Sequence, residues 1–450
     1  KAMSVQKNQA RAASNFLAVD KLAIAPGLTT EFIGYDHVQG SAVSTAIFVD
    51  GVSTEEVQEG QQALLIFDNS PFYAESGGQV GDTGLLENDK VRIEVLDTQK
   101  QGDVLIHRGK LLSGSLKLGD RVEAKVAREV RQAITLNHSA THLMNAALRD
   151  VLGTHVTQKG SLVDADRLRF DFSHSSPVSS AEIKQIEDQV NAEVLANSLV
   201  GKEVLPIEEA QKKGALALFG EKYGDEVRVV TMGGDYSIEF CGGTHVERTG
   251  DIGVFKIVSE SGISAGVRRI EAVTGKGALA LIDREEETLK QLCEMVKSNQ
   301  EELVEKVQQL ASSNRALEKQ LEQLKSKMAS SAGSDLAAQA EELCGIQFLA
   351  ALVEGFNPKT LRETVDQLKN KLGSSVVVLI SAGDGKVNMV AGVSKDLMGK
   401  VKAGDLVNMI ALQVGGKGGG RPDMAMAGGS DVAAVPAALA SVKPWLLERL

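Results

Sequence analysis

Apolar and polar residues fall into different rhythms along this chain. Between about 32 and 125, short apolar runs end in turn residues. Examples are Ala46-Ile47-Phe48-Val49 ahead of Asp50-Gly51, Ala63-Leu64-Leu65-Ile66-Phe67 ahead of Asp68-Asn69, and Val91-Arg92-Ile93-Glu94-Val95-Leu96. This spacing predicts strands closing into a small β-barrel. From about 128 the rhythm mixes helix and strand. A helix is expected through Arg131 to Leu152, broken by Gly153, and a strand over Leu168-Arg169-Phe170-Asp171-Phe172. Ser179 and Glu182 have the spacing of a capping box, and Ile183, Ile186, Val190 and Val194 follow at helical intervals. Val227–Val230 and Tyr236–Phe240 read as further strands.

Over 280–330 the chain is polar, with Leu303, Val307, Leu310, Leu317, Leu321, Leu324 and Met328 spaced as a heptad seam and Asn314 at one core-type position. Leu289, Leu292 and Val296 keep the spacing in a shifted phase, which predicts a stutter. A helical hairpin and an intermolecular coiled coil both satisfy this pattern. Ser330-Ser331-Ala332-Gly333-Ser334 is expected to be a linker. Beyond it, strand patterns at 348–353, 376–381 and 387–391 alternate with helical ones at 358–372 and 403–414, ahead of a glycine run. The fold class expected is α+β multidomain. It comprises the end of an upstream helical domain (1–20), a small β-barrel (21–127), an α+β domain (128–278), a helical, coiled-coil-like linker (279–334) and a compact C-terminal α/β domain (335–450). The first residues, starting at Lys1 without Met in a polar, helix-favouring stretch, are expected to be the cut end of a longer protein.

Composition narrows the class. Forty-three per cent of the 450 residues are hydrophobic, enough for several cores and too many for a disordered chain. The densest apolar run, Val376–Ile380, is far short of a membrane span. Three cysteines (Cys241, Cys293, Cys344) make no disulfide framework, so a reducing cytoplasm is expected. Net charge of −11 argues against a generally basic nucleic-acid coat, though not against a local basic site. The stretch 335–450 has 12 acidic and 12 basic residues, so the excess negative charge lies upstream of it.

The sharpest chemistry lies in two pentapeptides. His138-Ser139-Ala140-Thr141-His142 puts two imidazoles on one helix face, and Ser139 in place of Glu rules out the zinc-protease motif. Cys241-Gly242-Gly243-Thr244-His245 supplies a thiolate and a third imidazole across a flexible turn. Four of the chain's ten Cys and His residues sit in these segments, and together they predict a site for one zinc ion. Four protein ligands suit a structural ion; a catalytic ion keeps a position open, and spacing allows either. Cys293 and Cys344 are expected to be structural. Two glycine-rich stretches remain. Glu75–Gly84 reads as a hairpin loop or a ligand loop. Gly415–Ala425 carries Lys417 and Arg421 among backbone N–H groups suited to phosphate, without the order of a P-loop.

Taken together the chain resembles the alanyl-tRNA synthetases, over what would be their C-terminal half. The resemblance rests on Phe72–Gln79, Asn137–Met144, Gly153–Ser161, Ala217–Gly224, Cys241–His245 and the Gly415–Met424 run. Threonyl-tRNA synthetases share the paired histidines and the Cys-x-x-x-His, but not the lysine-containing glycine run. The resemblance implies an editing domain that hydrolyses mischarged Ser-tRNA(Ala) and Gly-tRNA(Ala), a helical linker, and a C-terminal domain that binds tRNA. It also implies that ligation of alanine with ATP and Mg2+ belongs to an upstream domain absent here.

Site roles follow from placement and resemblance. His138, His142, Cys241 and His245 are the expected zinc ligands. Thr141, Gln158 and Cys241 form the expected catalytic group, with Gln158 binding substrate or positioning water. Gly77, Gly78 and Gln79 are expected along the groove for the acceptor end, and Arg268, Arg269, Lys417 and Arg421 against phosphate. No general base stands out; an aminoacyl ester is already activated, and a positioned water with the terminal ribose hydroxyl can suffice. Two other readings fit the residues: a free-standing trans-editing deacylase, and a non-catalytic, zinc-stabilised module for tRNA binding and oligomerisation. Expected partners are tRNA(Ala) and a second copy through the linker or C-terminal domain, with no membrane and no DNA.

Overall fold

A computed structural model describes residues 22–217, 224–383 and 385–450, with the side chains of 325–334 outside the description. The helix expected over 1–20 and most of the Ala217–Gly224 motif lie outside the described residues. The chain forms two compact units that meet between Leu289 and Lys290.

The first unit begins with a six-stranded barrel: β1 (Gln39–Val49), β2 (Gln62–Phe67), β3 (Gly84–Glu87), β4 (Val91–Gln101), β5 (Val104–Lys117) and β6 (Arg121–Val126). Antiparallel ladders run β1–β2–β5–β4–β3–β6, and β6 pairs back to β1, which closes the sheet. Alternation drives this: in β6, Arg121, Glu123 and Lys125 face out while Val122, Ala124 and Val126 face in. The interior holds Ile47, Leu65, Phe67, Phe72, Leu86, Ile93 and Leu111.

The chain then enters α1 (Arg128–Leu152). Four antiparallel strands follow as one sheet, β7 (Gln158–Val163), β8 (Leu168–Ser173), β12 (Phe255–Ser264) and β13 (Val267–Thr274), in the order β7–β8–β13–β12. A smaller sheet joins β9 (Gly201–Pro206), β10 (Glu226–Met232) and β11 (Ser237–Phe240). Helix α2 (Ser180–Ala196) starts at the capping box read from sequence: Ser179 Oγ accepts from Glu182 N, and Glu182 accepts from Ser179 N. Ile186, Val190 and Val194 pack with Leu143, Met144 and Leu148 of α1 and Phe170, Phe172 and Ile270 of the sheet.

A buried ion pair helps fasten barrel to core. Arg131, in the first turn of α1, donates through Nε and Nη2 to Asp82, through Nη1 to Gly34 O (2.9 Å) and through Nη2 to Pro71 O (2.8 Å). Asp82 also accepts from Tyr73 N (2.7 Å), and both side chains are buried.

Helix α3 (Ile207–Lys212) lies between β9 and β10; after β13 come α4 (Gly275–Val296) and α5 (Leu303–Ala337). Two expectations change here. The stutter is a break between separate helices, with Lys297 at φ 55°, so Leu289, Leu292 and Val296 belong to a different helix from the seam. The linker at 330–334 is instead part of α5, because alanines on both sides favour helix more than Gly333 opposes it. Along α5, Val307, Leu310, Leu317, Leu321 and Leu324 are 48–61% exposed.

The second unit is built on a six-stranded sheet of β14 (Glu341–Leu343), β15 (Ile346–Leu352), β16 (Ser375–Gly383), β17 (Lys386–Val393), β18 (Lys417–Arg421) and β19 (Met424–Gly429), in the order β14–β15–β16–β17–β19–β18. β15 and β16 are parallel and the rest antiparallel. The Val376–Ile380 run is its centre, buried on both faces. Val376, Val378 and Ile380 pack with Leu406, Val407 and Ile410 of α7 (Ala403–Gln413), while Val377 and Leu379 pack with Leu361, Val365 and Leu368 of α6 (Pro358–Leu372). The glycine run, given no element by its sequence pattern, contains an edge strand, Lys417–Arg421. Glycine lets it approach β19 closely: a Cβ on Gly418 would stand 2.2 Å from that of Ala427.

Candidate metal centre

Helix α1 presents His138 and His142 one turn apart, and the turn after β11 carries Cys241 and His245. All four side chains are buried, and their ligand atoms lie within 4.8 Å of one another. Gly243 permits the approach, since a Cβ there would lie 2.1 Å from the His138 ring. Arg228 Nη1 donates to Cys241 O and Gly243 O (2.9 Å each) and fixes the turn.

The outer nitrogens explain the orientation. His138 Nδ1 lies 2.7 Å from Gln79 Oε1, His142 Nδ1 lies 2.7 Å from Glu239 Oε2, and His245 Nδ1 lies 3.3 Å from Ser139 Oγ. Each Nδ1–H has an acceptor, which leaves Nε2 as the ligating atom on every ring. The His138 and His245 Nε2 atoms stand 3.4 and 3.2 Å from Cys241 Sγ, and His142 Nε2 is buried without a hydrogen-bond partner. A tetrahedral ion with bonds of about 2.0 Å to nitrogen and about 2.3 Å to sulfur needs ligand separations of roughly 3.3–3.6 Å, close to these.

Electrostatics agree. Burial would raise the Cys241 thiol, but the three imidazoles outweigh it and hold the thiol well below its usual range. Burial would lower His142, yet Glu239 and the Cys241 thiolate raise it above an ordinary imidazole. Burial pushes His245 down, so it stays neutral. The Cys241 thiolate and the Glu239 carboxylate thus put two negative charges around the imidazoles, which one divalent cation balances.

The other sequence-predicted residues fall in several places. Gln79 does not line a groove: it is fully buried, accepts from Thr244 N (2.9 Å) as well as facing His138, and donates to Thr244 Oγ1 (2.9 Å). Its loop docks on β7, where Val163 N donates to Gly78 O and Val80 N to Val163 O. Gly77 is exposed and Gly78 half-buried. Thr141 donates to Asn137 O (2.8 Å) on its own helix. Gln158 is half-buried at the start of β7. Neither arginine of the 268–269 pair is turned out for phosphate: both form bidentate pairs, Arg268 with Glu260 and Arg269 with Asp171. Lys417 and Arg421 are exposed on one face of β18, with Arg421 3.3 Å from Asp423.

Sequence reading missed Glu239, Asn145 (whose Nδ2 donates to Glu239 Oε1, 2.8 Å) and the bracing by Ser139. The available signal was a carboxylate in an apolar strand, two residues before Cys241.

With this geometry in place, the comparisons can be read. A relative described as alanine–tRNA ligase from Saccharophagus degradans is 54% identical over 444 residues, 98% of this chain and 51% of that protein. The chain belongs to the alanyl-tRNA synthetase family. It spans about half the length of that relative. Within the chain, residues 1–130 match the model for class II (A) tRNA synthetases. Residues 227–271 match the second additional domain of threonyl and alanyl tRNA synthetases, and 345–448 match the DHHA1 domain. The C-Ala domain of Aquifex aeolicus alanyl-tRNA synthetase is 30% identical, covers 24% of this chain and 97% of its own, and superposes with a TM-score of 0.23. Among the described residues no helix is long and apolar enough to cross a membrane.

Proposed function

We propose that the chain is the editing half of an alanyl-tRNA synthetase. It hydrolyses mischarged Ser-tRNA(Ala) and Gly-tRNA(Ala) beside one zinc ion held by His138, His142, Cys241 and His245. The observation that carries this reading is the buried group of three imidazoles and one thiolate, each imidazole oriented from outside. It occurs in a chain matching the additional domain of threonyl and alanyl tRNA synthetases.

The need for such a site is physical. A pocket built for alanine gains only about 10–200-fold against a substrate that differs by one methylene or hydroxyl. A second site that hydrogen-bonds the serine hydroxyl reverses the preference, because alanine leaves its polar groups unpaired. When bound, zinc supplies positive charge beside the ester carbonyl. The chain's own residues do the positioning. Glu239, Gln79 and Ser139 hold the imidazoles. Thr141, whose hydroxyl proton is committed to Asn137 O, keeps acceptor capacity for the substrate. Gln158 positions substrate or water, and Gly77 and Gly78 border the path of the acceptor end. In the second unit, Lys417 and Arg421 contact tRNA phosphate. A homodimer, ATP- and Mg2+-dependent ligation of alanine by the rest of the full-length enzyme, and a cytoplasmic setting complete the proposal.

The test is deacylation of Ser-, Gly- and Ala-tRNA(Ala) by this chain. Serine and glycine esters are cleaved and the alanine ester spared, and Cys241→Ala abolishes cleavage. Equal cleavage of all three, or of none, refutes the reading; the latter leaves a non-catalytic tRNA-binding module.

A further inference from the structure

Three of the seven histidines belong to the metal group, and one, His107, is buried in the barrel. Two of the remaining three face each other elsewhere in the first unit. His155 lies in the turn between α1 and β7, and His174 follows the last residue of β8. His155 Nε2 stands 3.0 Å from His174 Nδ1, and the rings are nearly parallel, 23° apart with centroids at 5.2 Å. His155 is exposed and His174 half-buried.

The backbone beneath both rings is tied down. Ser173 Oγ donates to His155 O (2.9 Å) and accepts from Thr157 N (2.9 Å), while Ser173 N donates to Thr157 O (3.0 Å). His174 N donates to Gly266 O (3.0 Å). The His155 ring lies against Gly153, where a Cβ would stand 3.1 Å from Nδ1, so Nε2 is the nitrogen that faces His174. An anionic group stands nearby: Ser179 holds the Glu182 carboxyl below its usual range, and a smaller part of that shift comes from charge on His174.

Two chemistries fit a pair of facing imidazoles. As neutral rings they share one hydrogen bond, which pins the turn. As ligands they chelate. Nitrogens each about 2.0 Å from one ion, at an angle of roughly 90–110°, stand roughly 2.8–3.3 Å apart, and the observed 3.0 Å lies within that range. A hydrogen bond between solvated neutral groups adds little to stability, so an ion displaces it at small cost. Loading releases no proton. The hydrogen between the facing nitrogens passes to the outer nitrogen of its own ring, leaving His155 protonated at Nδ1 and His174 at Nε2. Imidazole selects zinc, nickel and copper over magnesium and calcium.

We propose that His155 and His174 form a second metal site, for a late first-row divalent ion such as zinc, which cross-links the 153–157 turn to the end of β8. Two protein nitrogens hold the ion and water completes its coordination. The site is therefore weaker than the four-ligand group, fills in excess zinc and empties on dialysis. It rests on no part of the deacylase reading.

The experiment is equilibrium dialysis of the full chain against rising free zinc, with bound metal read by elemental analysis and amide exchange of 153–163 followed by mass spectrometry. The parent takes up a second ion in excess zinc, exchange across 153–163 slows as it binds, and magnesium does not displace it. His155→Ala and His174→Ala each weaken the second ion by at least about 10–100-fold, the loss that removing a mere supporting residue causes, with the first ion and the melting temperature kept. His174→Gln, whose amide can still hydrogen-bond to His155, also loses the second ion, which separates a ligand from a pin of the turn. Uptake that stays at one ion per chain in excess zinc, a second ion indifferent to these substitutions, or displacement by magnesium overturns the site. A second ion lost with either histidine but without slowed exchange in the parent overturns the cross-link.

Discussion

Replacing Arg131 with Met removes one buried fastening between barrel and metal-bearing helix while keeping most of the side chain's bulk. The side chains of Arg131 and Asp82 are 7% and 1% exposed, so the substitution strands a buried carboxylate. It also strips the carbonyls of Gly34 and Pro71 of a donor. Breaking a buried pair from one side costs about 3–5 kcal/mol. At about 1.4 kcal/mol per tenfold, amide protection in the 128–152 helix and in the 84–101 strands should fall by about two to nearly four decades. Hydrogen-exchange mass spectrometry reads this locally. Tryptophan fluorescence is blind to it, because the single tryptophan, Trp445, belongs to the other unit. Adding Asp82→Asn removes the stranded charge and keeps an acceptor for Tyr73 N, so the double variant regains at least about 1 kcal/mol over Arg131→Met. Protection within tenfold of the parent after Arg131→Met would refute the argument, as would a double variant weaker than the single.

Three further predictions concern other parts of the molecule. Glu239→Gln lowers zinc affinity about 10–100-fold in chelator competition, because the His142 ring loses its charged support while the fold persists; unchanged affinity contradicts that role. His107 is buried between Phe67 and Phe72, with Ser70 Oγ 2.7 Å from Nε2, and burial lowers its pKa to about 4. Because the folded value lies below the unfolded one of about 6.5, the unfolded chain binds the extra proton. Barrel stability is therefore retained above pH 6.5 and falls by about 3 kcal/mol towards pH 4, and urea unfolding followed by exchange of β5 amides should show this slope in the parent and not in His107→Asn. Lys417→Ala with Arg421→Ala weakens tRNA binding and reduces the slope of log affinity against log salt by about 2; an unchanged slope removes both residues from the phosphate contact.

Local periodicity made much of the architecture legible. Capping at Ser179, the doubly buried Val376–Ile380 strand and the alternation in 121–126 each state their own structure, because each depends on neighbours within a few residues. The errors arose where distant partners decide. Gly415–Arg421 carries no strand pattern of its own, and only its pairing with the strand that holds Ala425 and Ala427 makes it an edge strand. The stutter before Leu303 needed knowledge of a helix break at Lys297, which no strong breaker announces. In the site, the four Cys and His residues were legible because two pentapeptides concentrate them. Their supports were not: Gln79, Glu239 and Ser139 come from a barrel loop, a strand and the helix itself. Gln79, 59 residues before His138, reads as a groove residue until the loop is seen docked on β7. Arg268 and Arg269 carry charge that suggests phosphate, and only strand register sets Asp171 and Glu260 beside them.

Zinc K-edge absorption on the purified, metal-loaded chain tests the central claim most directly. The account predicts one ion per chain, with three nitrogen neighbours at about 2.0 Å and one sulfur at about 2.3 Å, and loss of the sulfur shell in Cys241→Ala. A spectrum of oxygen neighbours alone, or a sulfur shell that survives Cys241→Ala, would contradict it.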